Sequence, residues 1–179
     1  SVKIISSISG GLSSAVATER AILKYGRENV TAWFADTNWE DEDLYRFVNQ
    51  CIARWGIEFI RHADGRTPLE VSRDEHVIPN NTLAPCTFRL KIEPFTEFLK
   101  AAEKPVTVVL GLGWEEQHRM KTPKERYEAI PGVTVDYPLM WKPLEFRPYY
   151  RVVKDDWGIE PPRLYKMGFS HNNCGGRCV

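Results

Sequence analysis

The residues whose types most directly suggest chemistry are Ser9-Gly10-Gly11-Leu12-Ser13-Ser14. Small side chains let successive backbone N–H groups converge on an anion, and a helix starting at the same point adds partial positive charge. A phosphate or pyrophosphate is the natural guest of such a turn. An ordinary tight strand-to-helix connection would use the same residues, so taken alone the segment leaves both readings open. It is not a Walker loop, because no Gly-Lys-Ser/Thr ending follows, and it is not a dinucleotide fingerprint.

A second constellation is the glycine-rich segment HNNCGGRCV, which carries His171, Cys174 and Cys178 where a pliant backbone could wrap a metal. Free thiols, or a pair that oxidises, are the competing reading. Cys51 instead shares an apolar helix face with Phe47 and Trp55, where a thiol packs as a small hydrophobe. His118 beside Arg119 is placed either to exchange protons near an anion or to sit on an exposed helix. His62 and His76 stand in polar stretches without paired ligands. The basic and aromatic mix from Trp141 to Arg151 has the composition of a nucleic-acid or second-substrate surface, yet its spacing is irregular and suits ordinary packing.

The elements that must position these groups follow from hydrophobic pattern and punctuation. Val2 to Ile8 reads as a buried strand, and Ser13 to Tyr25 as a helix stopped by Gly26. Val30 to Ala35 repeats the strand pattern. Asn38 or Asp41 can then cap a helix whose Leu44, Phe47, Val48, Cys51, Ile52 and Trp55 share one face, with Gly56 as its stop. Ile57 to Ile60 is a third strand. His62 to Pro85 is expected to be a long functional loop region holding one short helix near Pro68 to Arg73. Thr87 to Ala102 predicts a helix bent near Pro94, Val106 to Leu110 a strand, Glu115 to Tyr127 a helix, and Val133 to Tyr137 a fifth strand. Beyond the prolines at 138, 143 and 148 comes a short helix around Tyr150 to Trp157, and then loop. Strands alternating with helices predict an α/β fold, a Rossmann-like three-layer sandwich on a mostly parallel five-stranded sheet with an irregular C-terminal segment. The nucleotide-type domain is expected over residues 1–140. Residues 141–179 would be an extension, carrying the His/Cys tail, packed on the same domain.

Composition narrows the function classes. The 179 residues are 42% hydrophobic and 27% charged, which fits a globular domain able to bury a core. Lys plus Arg and Asp plus Glu both number 24, so no overall field favours polyanions, and nucleic-acid binding would need a local patch. No apolar run approaches the roughly 20 residues that span a bilayer. Four cysteines are too few for a disulfide scaffold, which points to a reducing cytoplasmic setting. The chain opens at Ser1 and closes just past a cysteine pair, which is compatible with a trimmed chain or a further tail.

SGGLSS resembles the SGGxDS pyrophosphate loop (PP-loop) of the ATP pyrophosphatase and sulfonucleotide (PAPS/APS) reductase superfamily, the adenine nucleotide alpha-hydrolase-like proteins. FADTNWEDEDLYRFV (34–48) is similar to that family's second strand with its Asp-Thr ending. PCTFRLKIEPF (85–95) is similar to its Cys-x-x-x-(Arg/Leu)-Lys-x-x-Pro segment, and GLGWEEQHR (111–119) to its Gly-x-Arg-x-x-Glu-Ser-x-x-Arg segment. IEPPRLYKMGFSHNNC (159–174) resembles the reductases' Leu-Tyr-x-x-Gly-Tyr-x-x-x-x-Cys run. Each match is loose, but the ordered set is specific and spans nearly the whole chain.

The resemblance implies that Ser9, Gly10, Gly11, Ser13 and Ser14 hold phosphates of ATP or of an adenylyl sulfate, with Asp36 and Thr37 lining the adenosine pocket. It implies that Gly111 lets the nucleotide approach the fourth strand, and that Arg89, Lys91 and Arg119 neutralise phosphate or sulfate, with Lys91, Arg119 and His118 as candidate catalytic groups and Mg as the usual helper. The plain readings are that Asp36 caps a turn and that the basic residues are solvated. Cys86 stands where iron-sulfur adenylyl-sulfate reductases carry upstream cluster cysteines, so the resemblance joins Cys86 to Cys174 and Cys178, with His171 among the options for a fourth ligand to an iron-sulfur cluster or zinc. Four departures bear on activity. Ser13 replaces the loop's Asp, Gly113 and Trp114 stand where an Arg is expected, the upstream site has one Cys instead of two, and no Glu-Cys-Gly-(Ile/Leu)-His ending supplies the reductase nucleophile. The expected activity is therefore that of an adenine-nucleotide-binding enzyme acting at the α phosphate of ATP or on an adenylyl sulfate. The alternative is a non-catalytic nucleotide-binding or sensing module with a metal-bound tail.

Overall fold

The computed structural model describes residues 2–76, 87–141 and 147–166. Five strands, β1 (Lys3–Ile8), β2 (Val30–Asp36), β3 (Glu58–Ala63), β4 (Val106–Val109) and β5 (Val133–Asp136), form one sheet in the order β3-β2-β1-β4-β5. Every pairing is parallel; Ile5, for example, faces Thr31 on one side and Val108 on the other. The chain winds outward from β1 through β2 to β3, then returns to place β4 on the other side of β1. Crossovers therefore diverge between β1 and β4, which opens a crevice beyond the carboxyl ends of these two strands.

Alternation along the strands sorts the core into two faces. Ile4, Val30 and Val109 pack with Leu12, Val16 and Ala17 of α1 (Leu12–Tyr25), with Phe47, Cys51 and Trp55 of α2 (Glu42–Trp55), and with Val153 and Ile159 from the C-terminal part. Ile5, Trp33, Val108 and Val135 face the opposite way, against Phe95 and Leu99 of α4 (Glu93–Ala101) and Tyr127 of α5 (Lys121–Glu128). Helix, sheet, helix gives the expected three layers. Burying the larger of these side chains supplies about 1.5–3 kcal/mol each, before the cost of chain ordering.

Local signals explain most boundaries. Asp41 caps α2, accepting from the Asp43 N–H at 3.3 Å, and Gly56 closes it in the left-handed region at φ 61°. In α3 (Pro68–Asp74), Thr67 accepts from the Glu70 N–H while the Glu70 carboxylate accepts from the Thr67 N–H, a reciprocal capping box.

Elsewhere the elements differ from the hydrophobic pattern. β3 runs to Ala63, because Arg61 pairs with Asp36 on β2 and His62 stacks on Trp33 at 5.8 Å, partnerships that no local alternation encodes. The helix expected over Thr87 to Ala102 is a π turn, Phe88–Ile92, running into α4. Pro94 has no N–H to bond the Leu90 carbonyl, so regular α spacing is interrupted there. The helix expected from Glu115 is likewise split into a 3-10 segment, Trp114–Arg119, and α5. Pro123 is tolerated only near a helix start, so α5 begins afresh two residues before it. The last described elements are α6 (Tyr149–Arg151), which runs into a π turn at Val152–Asp156, and the single turn α7 (Arg163–Lys166). Among the described residues, no helix is long and apolar enough to cross a membrane.

Candidate nucleotide site at the β1/β4 crevice

Between β1 and α1 the chain turns through Gly10, at φ 84°, a conformation that costs glycine nothing and strains other residues. The turn is stapled by its own serines. The Ser9 N–H donates to Ser14 Oγ at 3.1 Å, the Gly11 N–H donates to Ser9 Oγ at 3.2 Å, and Ser14 Oγ donates to the Gly11 carbonyl at 3.2 Å. These hydroxyls shape the loop. In the first turn of α1 the Leu12 N–H donates to the Tyr165 hydroxyl at 3.3 Å and the Ala15 N–H to the Gly11 carbonyl at 3.3 Å, so a ligand would use the Ser13 and Ser14 N–H groups, which have no carbonyl four residues earlier within the helix. Further along α1, Thr18 shares a buried hydrogen bond at 2.7 Å with Ser6 of β1, which fixes the helix against the strand.

β4 exits directly onto this turn. A Cβ on Gly111 would lie 2.5 Å from Ser14 Cα and 2.6 Å from Ser14 N, so only glycine permits the approach. The crevice so formed has a cavity volume of about 340 Å³. Ser9, Gly11, Ser13 and Ser14 line it from the loop, and Leu110, Gly111 and Leu112 from the β4 exit. Glu116, Arg119, Pro123 and Tyr127 line it from the following segment, with Ser7 and Tyr165 completing it. Its charged groups meet each other, since Arg119 Nη1 donates to Glu116 Oε1 at 2.9 Å. Burial pushes the phenols of Tyr127 and Tyr165 above their ordinary pKa, so both hold their protons at neutral pH.

Other residues named from the sequence stand elsewhere. Gly10 borders a small apolar space behind the loop, shared with Phe47, Cys51 and Trp55. Asp36 ends β2 fully buried. Its Oδ1 accepts from the Asn38 N–H at 2.8 Å and from the Tyr45 hydroxyl at 2.6 Å, and its Oδ2 accepts from Arg61 Nε at 2.8 Å. Thr37 donates to Glu40 at 3.1 Å, and Lys91 Nζ lies 3.8 Å from the same Glu40 carboxylate. Arg89 is held by Glu75 and Glu93, and His118 is exposed. None of Asp36, Thr37, Arg89, Lys91 and His118 lines the crevice. Cys86, His171, Cys174 and Cys178 lie outside the described residues. Among the described residues, no group of three or more His, Cys, Asp or Glu is arranged to hold a metal. Cys51 is buried and its thiol is pushed up to about 12, chiefly by desolvation, as its apolar helix face implied. Of the Trp141 to Arg151 stretch, Trp141 donates to Asp136 and Arg147 pairs with Asp156, so these groups serve internal contacts.

Sequence reasoning missed Glu116 and Tyr165. Glu116 precedes Arg119 by three residues, the spacing of a helical ion pair, and was legible. Tyr165 stands at the Tyr of the Leu-Tyr pair matched above, but its place beside the loop was not legible, because its partner Leu12 is 153 positions away.

Comparison with known proteins agrees with this geometry. No curated protein matches the chain. Among solved structures, the crystal structure of phosphoadenylyl-sulfate (PAPS) reductase from Candida auris, a phosphate complex, superposes with a TM-score of 0.65 at 15% identity, covering 99% of this chain and 83% of that one. The family model for the phosphoadenosine phosphosulfate reductase domain matches residues 3–149. With the parallel sheet, the β1/β4 crevice and that match over most of its length, the chain belongs to the phosphoadenosine phosphosulfate reductase domain family and is a nucleotide-binding enzyme of the sulfonucleotide reductase type.

Proposed function

We propose that the protein binds an adenylyl sulfate in the β1/β4 crevice, with the anionic phosphosulfate on the first turn of α1, and that the reaction is reductive release of sulfite. The observation that carries this reading is the contact of Gly111 with Ser14, which brings the β4 exit and the α1 N-terminus together around one cavity. The helix end offers N–H donors and partial positive charge to the phosphate. Arg119 supplies a mobile cation once a ligand anion displaces Glu116.

In the chemical step a thiolate attacks the sulfate sulfur, an S–S bond forms, and the S–O bond to the adenylate phosphate breaks with its electron pair on the departing phosphate. A second thiol then reduces the thiosulfonate, which releases sulfite and leaves a disulfide. Cys51, buried and holding its proton, is unsuited to either role. A cluster or zinc would draw on Cys86, Cys174 and Cys178, with His171, the substrate or an exogenous group as fourth ligand. Ser13 in place of a loop carboxylate makes Mg more dependent on the ligand's own phosphates.

The test is product analysis with adenosine 5′-phosphosulfate or its 3′-phosphorylated form and a thiol donor. Sulfite is the expected product, and pyrophosphate from ATP without sulfite would move the assignment to the pyrophosphatase branch. The module reading is favoured by Ser13 alone. A Ser13→Asp variant that gains ATP turnover would mark a lapsed enzyme, whereas a change in affinity only would mark a sensor.

A further inference from the structure

The hydroxyl of Tyr165 sits on the loop that the preceding reading assigns to the phosphosulfate. It accepts from the Leu12 N–H at 3.3 Å, one of the first-turn donors of α1, and it lines the same crevice as Ser13, Gly111 and Arg119. The space it occupies is the space a side chain at position 11 would need, since a Cβ on Gly11 would lie 3.0 Å from the phenol oxygen.

Tyr165 is delivered there by fastenings to the start of α2. The Arg163 guanidinium pairs with Asp41, with Nε donating to Oδ2 at 2.8 Å, and the Arg163 N–H donates to Asp43 Oδ2 at 2.7 Å. Arg46 reaches back to the Glu160 carbonyl at 2.7 Å and the Pro161 carbonyl at 3.3 Å. Leu164 is buried beside them. A segment distant in sequence is thus tied to α2 so that one phenol meets the loop.

A phenol has one proton to give and lone pairs to receive with. With Leu12 N–H directed at a lone pair, the proton is left for an acceptor, and the crevice is where a ligand acceptor would lie. Hydrogen-bond chains of this kind polarise along their length, so a donor that itself accepts from a helix N-terminus becomes a stronger donor. We infer that Tyr165 is a substrate-binding residue, whose hydroxyl accepts from Leu12 and donates to the anionic group of the bound nucleotide. This inference rests on the nucleotide reading of the crevice. The phenol's raised pKa keeps the proton in place across neutral pH.

The competing consequence has the opposite sign. If the phenol only occupied the Leu12 amide, removing its oxygen would free a donor for the ligand and tighten binding. Calorimetric titration of wild type and Tyr165→Phe with adenosine 5′-phosphosulfate separates the two, because the ring and its packing remain. The expected result is roughly tenfold weaker binding, the size of one lost hydrogen bond to a charged group. Equal or tighter binding by Tyr165→Phe overturns the inference and leaves the nucleotide reading intact. Absence of binding by wild type overturns both.

Arg163→Gln supplies a second readout, since it loosens the hold on Asp41 without removing the hydroxyl. It should weaken binding, and the double variant should be no weaker than Tyr165→Phe alone, because both act through one phenol. Fully additive losses would mean that Arg163 and Tyr165 act independently and would overturn the positioning role.

Discussion

Gly111 and Ser14 touch backbone to backbone. A methyl group at position 111 would overlap main-chain atoms of Ser14 at 2.5 and 2.6 Å, and main chain cannot rotate aside as a side chain can. Gly111→Ala should therefore force the β4 exit away from α1, costing about 1–3 kcal/mol of stability. At this size each kcal/mol lowers Tm by about 2–4 °C. Nucleotide affinity should fall with it, because the crevice widens at its base. Thermal unfolding and calorimetric titration check both, and an unchanged Tm would mean the contact yields easily.

Asp36 was a candidate ligand neighbour, and its surroundings give it a structural task. Three residues donate four hydrogen bonds to a fully buried carboxylate, and Arg61 supplies two of them together with the countercharge. Asp36→Asn removes that charge while Arg61 stays. Because the Arg61 side chain is 53% exposed, water relieves part of the penalty and the loss should be about 2–3 kcal/mol, below that of a fully buried pair. If Asp36 serves only as scaffold, denaturant unfolding will show the loss while nucleotide affinity changes less than threefold.

The Glu116–Arg119 pair predicts opposite effects from its two halves. Arg119→Ala should weaken adenylyl-nucleotide binding about tenfold, the scale of a charge-assisted hydrogen bond. Glu116→Gln should strengthen it about two- to fivefold, since an exposed ion pair competing for Arg119 is worth under about 1 kcal/mol. Titrations at two salt concentrations test this, and weaker binding by Glu116→Gln would show that the carboxylate helps the ligand.

Acid should loosen the join between α2 and the C-terminal segment. Hydrogen bonding to Arg46, followed by the Arg163 N–H and the nearby guanidinium charges, holds the Asp43 carboxyl below its ordinary pKa of 3.8 against the opposing effect of burial. A depressed folded-state pKa gives stability that is fully present above the unfolded value and is lost as pH falls through the folded one. Wild type should therefore lose this contribution as pH drops below about 4, while Asp43→Asn, less stable at pH 7, shows a shallower acid limb. Tm measured from pH 7 to pH 2 distinguishes the two curves, and parallel curves would remove Asp43 from the account.

The SGGLSS turn, the apolar stripe of α2, the punctuation by Gly56 and Pro94, and the alternation of strand and helix are local, and local patterns were enough to place β1, α1, β2 and α2 and to imply a parallel sheet. Helix periodicity and turn chemistry act within a few residues, so they survive in a linear reading. The tertiary structure decided which residues share the crevice. It joined Gly111 to Ser14 and Tyr165 to Leu12, and it gave Asp36 to Arg61 and Tyr45 instead of to the cavity. Those pairings depend on strand order and on how the C-terminal segment crosses α2, and they join residues up to 153 positions apart, beyond the reach of any local pattern.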